Sequence, residues 1–270
     1  MKQVAVDASL TIAYKEQGSG VPIVLLHGNC GSSGYFDRVA PLLAAKHRVI
    51  APDLRGHGGS SAPEGVYAME ALAEDVRVLL DKLELERVYL FGHSLGGYVA
   101  LAFAEKYGER LKGFGLLHST AYPDDEAARA GRDRTVRRLS EEGIAPYIDE
   151  LVPKLFAPEH RQTMPEAVEH AKRIGYGTSV RGAIGVALGM KERPDRRHVL
   201  ASAGVPALLL AGEQDGIVAP ERRFPVRGPR IAAVELDGCG HMGMLEAPEP
   251  FARAVADFVA ACEQGGRFRV

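Results

Sequence analysis

Tryptophan is absent from this chain of 270 residues, cysteine occurs three times, and neither sign of charge is in excess. Cys30, Cys239 and Cys262 are too few, and odd in number, for a disulfide framework, so a reducing cytoplasm is the expected setting. Lys+Arg 33 against Asp+Glu 35 lacks the electrostatic footprint of a nucleic-acid binder or of a protein held to an anionic membrane. No apolar run approaches the length of a bilayer span, and Met1–Asp7 has no apolar stretch of the kind a signal peptide needs. His, Cys, Asp and Glu nowhere cluster at metal-ligand spacing. There is no G-x-G-x-x-G after a strand and no Walker pattern. The expectations are therefore no metal, no cofactor, no nucleic acid and no membrane partner.

What is present is an alternation. Val4–Val6 and Leu10–Tyr14 read as short antiparallel strands, closed by Gly18-Ser19-Gly20. Ile23–Leu26, Arg48–Ala51, Val88–Phe91, Gly115–Leu117, Ala207–Leu210 and Ala232–Leu236 are short apolar runs bounded by Gly, Pro or Asp. Runs apolar on both faces suit parallel strands covered on both sides. Between them, Leu72, Val76, Leu79, Leu80 and Leu83 mark one helix face, and Phe251, Val255, Phe258, Val259 and Cys262 mark another. Strands separated by such segments imply βαβ units and a mostly parallel sheet with helices on both faces.

The alternation stops between Ala121 and His198, where the pattern is helical only. Ile144, Ile148, Leu151, Val152 and Leu155 form one stripe; Met164, Val168, Ala171 and Ile174 form another. Gly182–Gly189 is a third candidate, weakened by its glycines. Residues 1–120 and 199–270 are thus expected to build the α/β core, with 121–198 an inserted helical cap. The mixed charges of Arg129–Arg138 read as a solvated helix face.

Right after Val88–Phe91 stands Gly92-His93-Ser94-Leu95-Gly96, with a helix-like stretch from Gly97. This is the G-x-S-x-G pattern in its strand–turn–helix context. A turn this sharp presents the Ser94 hydroxyl over the sheet edge. An alcohol is a poor nucleophile at neutral pH; it needs a base, and the base needs a carboxylate to hold its tautomer and stabilise its charge. Two later strand ends supply them: Leu208–Leu210 leads to Asp215, and Val234–Leu236 leads to His241. Glu213 and Asp237 are nearby substitutes for the carboxylate.

With these residues the chain resembles the α/β-hydrolase superfamily over nearly its full length. The matching segments are His27-Gly28-Asn29, Asp53–Ser60, the turn around Ser94, Gly212–Asp215 and Gly240-His241, in the family's order and spacing. The resemblance implies an α/β-hydrolase fold, an eight-stranded sheet whose second strand is antiparallel. It also implies Ser94 as nucleophile, His241 as general base and then acid, and Asp215 as orienting carboxylate. The backbone N–H groups of Asn29 and Leu95 become the oxyanion hole, each worth about 3 kcal/mol to a developing oxyanion.

Other residues are read more plainly. His27 and His93 belong to matched motifs and are expected to be structural, as is His57 in its Gly-rich turn. His118 ends a strand on the cleft side, so it either lines the pocket or packs as a buried ring. Cys30 and Cys239 flank the oxyanion and base loops, where each is a cleft residue or a buried inert thiol. His47, His160, His170 and His198 read as surface residues.

Departures from the family narrow the chemistry. Relatives that open epoxides or cleave carbon–halogen bonds use Asp where this chain has Ser94. Carbon–carbon bond hydrolases carry Gly-Pro-Gly after His-Gly, and here Asn29-Cys30-Gly31 lacks the proline. Relatives with peracid chemistry favour a tryptophan that this chain does not have. The resemblance therefore implies a serine carboxylesterase acting on a small-molecule ester, as monomer or homodimer. A lactonase, thioesterase or acyltransferase on the same residues, or a slow-turnover ligand-sensing protein, are the alternatives.

Overall fold

The computed structural model describes residues 1–265. One sheet organises it, built from β1 (Lys2–Ala5), β2 (Thr11–Gln17), β3 (Val21–Leu26), β4 (His47–Pro52), β5 (Val88–His93), β6 (Leu111–Leu117), β7 (Ala207–Gly212) and β8 (Ile231–Leu236). The spatial order is β1-β2-β4-β3-β5-β6-β7-β8. β2 is antiparallel to both its neighbours, and every pair from β4 to β8 is parallel. This is the sheet expected from the sequence.

Helices cover both faces. Before β6 come α1 (Ala40–Ala44), α2 (Met69–Lys82) and α3 (Leu95–Tyr107). Between β6 and β7 the chain leaves the sheet for α4 (Glu126–Glu142), α5 (Ile144–Leu155), α6 (His160–Thr163), α7 (Pro165–Tyr176) and α8 (Val180–Glu192), and returns through α9 (Arg197–Ser202). After β7 come α10 (Pro220–Arg223), α11 (Gly243–Glu246) and α12 (Pro248–Glu263).

Successive side chains of a strand leave opposite faces, and that splits the interior into two cores. Ile23, Leu25, Tyr89, Phe91, Leu208 and Leu210 join α1 and α12 on one side. Val24, Leu26, Leu90 and Leu209 join α2, α3 and α9 on the other. A strand covered twice has to be apolar at every position, which is why these strands read as unbroken runs.

Some boundaries differ from the sequence reading. β2 continues to Gln17 because its polar end pairs with β4, where Glu16 meets Arg48 at 2.7 Å. β6 begins at Leu111 rather than Gly115. Its glycines break the apolar pattern, yet the Tyr89 and Phe91 rings of β5 lie over them; a Cβ at Gly115 would stand 2.6 Å from the Phe91 ring. The glycine-rich 182–189 stretch does form a helix, α8. It docks on the backbone of the core: a Cβ at Gly182 would lie 2.2 Å from the Gly56 carbonyl oxygen, and one at Gly189 1.8 Å from that of Tyr67. Among the described residues no helix is long and apolar enough to cross a membrane.

Candidate active site

Ser94 sits between β5 and α3 with φ 50° and ψ −113°. A residue with a Cβ pays for such a backbone, so it persists only where the surroundings impose it. Four non-glycine residues have positive φ among those described: Cys30, Glu84, Ser94 and His118. Three of them follow the ends of the adjacent strands β3, β5 and β6. Strain is therefore concentrated at one stretch of the sheet's C-terminal edge, where α/β sheets bind their ligands.

The surroundings that impose it are visible. The Ser94 N–H donates to the Leu117 carbonyl at 3.0 Å, and the Ser94 carbonyl accepts from the Gly97 N–H at 2.9 Å and from Ser119 Oγ at 2.7 Å. The turn closes only because its flanks lack side chains. A Cβ at Gly92 would lie 2.0 Å from the Gly96 carbonyl oxygen, and one at Gly96 2.4 Å from that of Leu26. Ser94 remains partly exposed between the buried His93 and Leu95. Leu95 opens α3, where helix N–H groups have no intrahelical acceptor and favour negative charge.

The Gly28–Asn29 turn lies against the serine: a Cβ at Gly28 would stand 3.2 Å from the Ser94 Cβ and 2.6 Å from His93 Nδ1. Two buried imidazoles hold this turn. His27 donates from Nδ1 to the Gly28 carbonyl at 2.8 Å and accepts the Leu54 N–H at Nε2, 2.9 Å. His57 donates from Nδ1 to the Arg55 carbonyl at 3.0 Å and accepts the Cys30 N–H at Nε2, 3.2 Å. Each tautomer is assigned from the backbone N–H that the other nitrogen must accept. Burial pushes both rings below the usual histidine range, His57 to about 3, so both stay neutral. Asp53 completes the frame by accepting the N–H groups of Ser33 at 2.6 Å and Gly59 at 2.8 Å.

His241 and Asp215 meet directly. His241 Nδ1 donates to Asp215 Oδ2 at 2.8 Å, leaving Nε2 as the other ring nitrogen. Asp215 Oδ1 accepts the N–H groups of Ile217 at 2.8 Å and Val218 at 3.0 Å. Burial works against the charge on Asp215, but the His241 ring bonded to it outweighs that and holds the carboxyl well below the usual carboxylate range. Of the substitutes, Glu213 accepts the Gly238 N–H at 2.8 Å and Asp237 is exposed; neither bonds to His241. The His241 backbone is fixed on both sides, its N–H donating to the Leu155 carbonyl at 2.7 Å and its carbonyl accepting from His93 Nε2 at 2.9 Å. The His93 and His241 rings lie 5.0 Å apart. No hydrogen bond joins Ser94 Oγ to His241 in this state. Such contacts are often long before substrate arrives and shorten when it binds.

Of the two readings left open for His118 and Cys30, the structure gives the buried one. His118 is fully buried, stacked on Phe251 with ring centroids 6.2 Å apart. Its Nδ1 stands 3.6 Å from Asp215 Oδ2, an electrostatic contact beyond hydrogen-bond reach. Burial keeps this ring neutral as well. Cys30 is also fully buried, and burial pushes its thiol up to about 12, which makes it inert. Cys239 is buried too, and burial raises its thiol.

Sequence reasoning missed several contributors. Ser119 is one, signalled only by its place after β6. Tyr147 of α5 is another; its hydroxyl accepts from Asn29 Nδ2 at 3.4 Å. Glu246 is the third. Its Oε2 accepts the N–H groups of Ala157 at 2.9 Å and Gly240 at 3.1 Å, and Oε1 accepts that of Met242 at 2.9 Å. His160, expected on the surface, is half-buried and donates from Nδ1 to Glu246 Oε2 at 2.8 Å. Among the described residues no group of three or more His, Cys, Asp or Glu side chains is arranged to hold a metal ion.

Comparison with known proteins agrees with this fold. The family described as having the alpha/beta hydrolase fold matches residues 21–248. The chain belongs to the α/β-hydrolase family. It is 32% identical to a thermophilic esterase from Thermogutta terrifontis, solved with malate bound, and superposes on it with a TM-score of 0.92 over 97% of this chain and 99% of that one. It is 31% identical over 239 residues to the dihydrolipoyllysine-residue acetyltransferase component of the acetoin cleaving system of Pseudomonas putida, covering 85% of this chain and spanning 61% of that protein's length. It is 29% identical over 211 residues to 3-oxoadipate enol-lactonase 2 of Acinetobacter baylyi, covering 78% of each.

Proposed function

We propose that this protein is a serine hydrolase that cleaves small carboxylic esters through an acyl-enzyme. The observation that carries the reading is the charged, buried Asp215 bonded at 2.8 Å to His241 Nδ1, with His93, the chain neighbour of the positive-φ Ser94, bonded to the His241 carbonyl at 2.9 Å. With Nδ1 committed as a donor, Nε2 is the nitrogen free to take a proton. It removes the Ser94 proton as Oγ attacks the ester carbonyl, forming a C–O bond and a tetrahedral oxyanion. The N–H groups of Asn29 and Leu95 stabilise that charge, worth about 3 kcal/mol each. Collapse breaks the bond to the alcohol, which leaves with the proton returned from Nε2. Water, deprotonated by the same nitrogen, then attacks the acyl carbonyl and regenerates Ser94 with release of the acid. The chemistry uses no cofactor. Residues 121–198 act as a cap that roofs the pocket and selects the substrate.

The esterase and lactonase relatives support ester cleavage and favour a lactone as the second reading, since both substrates present the same carbonyl to the same residues. A cytoplasmic setting fits three unpaired cysteines. The test is Ser94→Ala against a p-nitrophenyl ester and a lactone panel. Turnover should fall at least about 10³-fold with an unchanged melting temperature. A fluorophosphonate should add its mass to the wild type on the peptide holding Ser94. Turnover retained in Ser94→Ala refutes the assignment.

A further inference from the structure

α4 is charged all round, as a solvated helix should be, but one of its arginines points the wrong way. Leu139 is the buried residue of this helix, and Thr135, Val136 and Arg132 share its half-buried side. Arg132 Nε donates to Asp124 Oδ2 at 3.0 Å. The same carboxylate, 4% exposed, pairs through Oδ1 with Arg193 Nη1 at 2.6 Å. Two guanidinium groups thus share one buried acid, and the cluster keeps one positive charge.

The two arginines differ in what remains to them. Arg193 is the more fully held: its Nε donates to the Tyr122 carbonyl at 3.3 Å, its Nη1 also donates to the Met190 carbonyl at 2.9 Å, and the guanidinium lies 4.0 Å over the Tyr98 ring. Arg132 has Asp124 alone. Its two terminal nitrogens make no hydrogen bond to any described residue, and 24% of its side chain is open. The acid it shares with Arg193 ties it to the Tyr98 ring, over which Arg193 lies, and the Tyr98 and Tyr147 hydroxyls both act on the Arg132 charge. Tyr98 lies on α3 one helical turn beyond Ser94, and Tyr147 touches Asn29. Arg132 therefore faces the space between the serine's helix and the Asn29 turn. Burial raises the Tyr147 hydroxyl to about 12, so it stands there as a neutral donor.

We propose that Arg132, with Tyr147 beside it, forms an anion subsite of the Ser94 pocket, and that the ester or lactone cleaved there carries a carboxylate. This rests on the acyl-transfer reading above. A planar guanidinium with its fork of donors open matches a carboxylate bidentately. A partly desolvated, uncompensated charge in a cleft also draws substrates of opposite sign. The apolar stripes of the inserted helices suggest a greasy substrate from sequence alone, but they are consumed in packing: Ile148, Val152 and Val168 are buried in the core.

The test compares mono-p-nitrophenyl adipate with its methyl-capped diester, which differ in charge and little else. The wild type should prefer the carboxylate in kcat/KM by roughly tenfold or more, mainly through KM. In Arg132→Gln that preference should collapse by at least about tenfold, and in Arg132→Lys, which keeps the charge but loses the fork, it should be intermediate. A wild type indifferent to the carboxylate, or an Arg132→Gln variant that slows both esters equally, overturns the subsite. If the wild type cleaves neither ester, the acyl-transfer reading fails instead. Calorimetry with adipate then decides the subsite: binding lost in Arg132→Gln supports it, and binding absent or unchanged overturns it.

Discussion

Glu246 holds His241 in place without touching its ring: one carboxylate accepts the N–H groups of Gly240 and Met242, on either side of the histidine. The same carboxylate binds the Ala157 N–H and His160, just past the end of α5. The loop bearing the proposed base is thereby stitched to the inserted helices. Glu246→Gln keeps the shape but replaces one acceptor oxygen with a donor, leaving buried N–H groups unpaired. It should lower stability by about 1–3 kcal/mol in urea unfolding and reduce kcat more than it raises KM. A variant with wild-type kcat shows that the clasp does not position His241.

Asp215 is the better-defined partner of that histidine. In Asp215→Asn, Oδ1 can still accept from Ile217 and Val218, so the loop should survive. An amide NH₂ facing His241 Nδ1 pits donor against donor and drives the ring to the other tautomer. Turnover should drop by about 10⁴-fold, the scale known for this substitution in a serine protease, while circular dichroism shows the fold retained. A loss of only a few-fold would mean that Asp215 is not the orienting group.

Ser119 tests whether backbone strain at the serine matters. Its hydroxyl holds the Ser94 carbonyl. Ser119→Ala should cost about 0.5–1.5 kcal/mol of stability and lower kcat several-fold, measured by thermal unfolding and ester turnover on one sample. Unchanged values on both would show that the Leu117 and Gly97 bonds suffice.

Stability should decline in mild acid. Burial holds His27, His57, His93 and His118 neutral, each below the ordinary histidine value. The unfolded chain binds protons at these rings near pH 6.5 and the folded chain does not. Their contribution is therefore complete above pH 6.5 and falls as pH drops toward the folded values, by up to about 1.4 kcal/mol per unit for each ring. Asp215 has the opposite sense: its lowered carboxyl stabilises the fold above the unfolded value near 4 and is lost only below that, so it does not contribute to a decline at pH 5–6. Urea midpoints at pH 7.5, 6.5, 5.5 and 5.0 measure the slope. A midpoint constant across that range contradicts neutral burial of these rings.

The eight strands, the turn at Ser94 and the family were legible in the chain because each rests on local chemistry. A doubly covered strand must be apolar throughout, a sharp turn must have glycine on both flanks, and catalytic loops follow strand ends in a set order. The strand start at Leu111 was not legible, because rings from β5 fill the space that Gly113 and Gly115 leave.

Sequence by itself thus determined the sheet, the elbow and the positions from which Ser94, Asp215 and His241 project. Only the tertiary structure decided that His118 and Cys30 are buried, that Glu246 ties the His241 loop to the helices between β6 and β7, and that Arg132 pairs with the buried Asp124. Those outcomes depend on partners far along the chain, as between Ala157 and Glu246, 89 positions apart. A charged side chain carries the same local signal whether its partner is water or a buried N–H, and only packing tells the two apart.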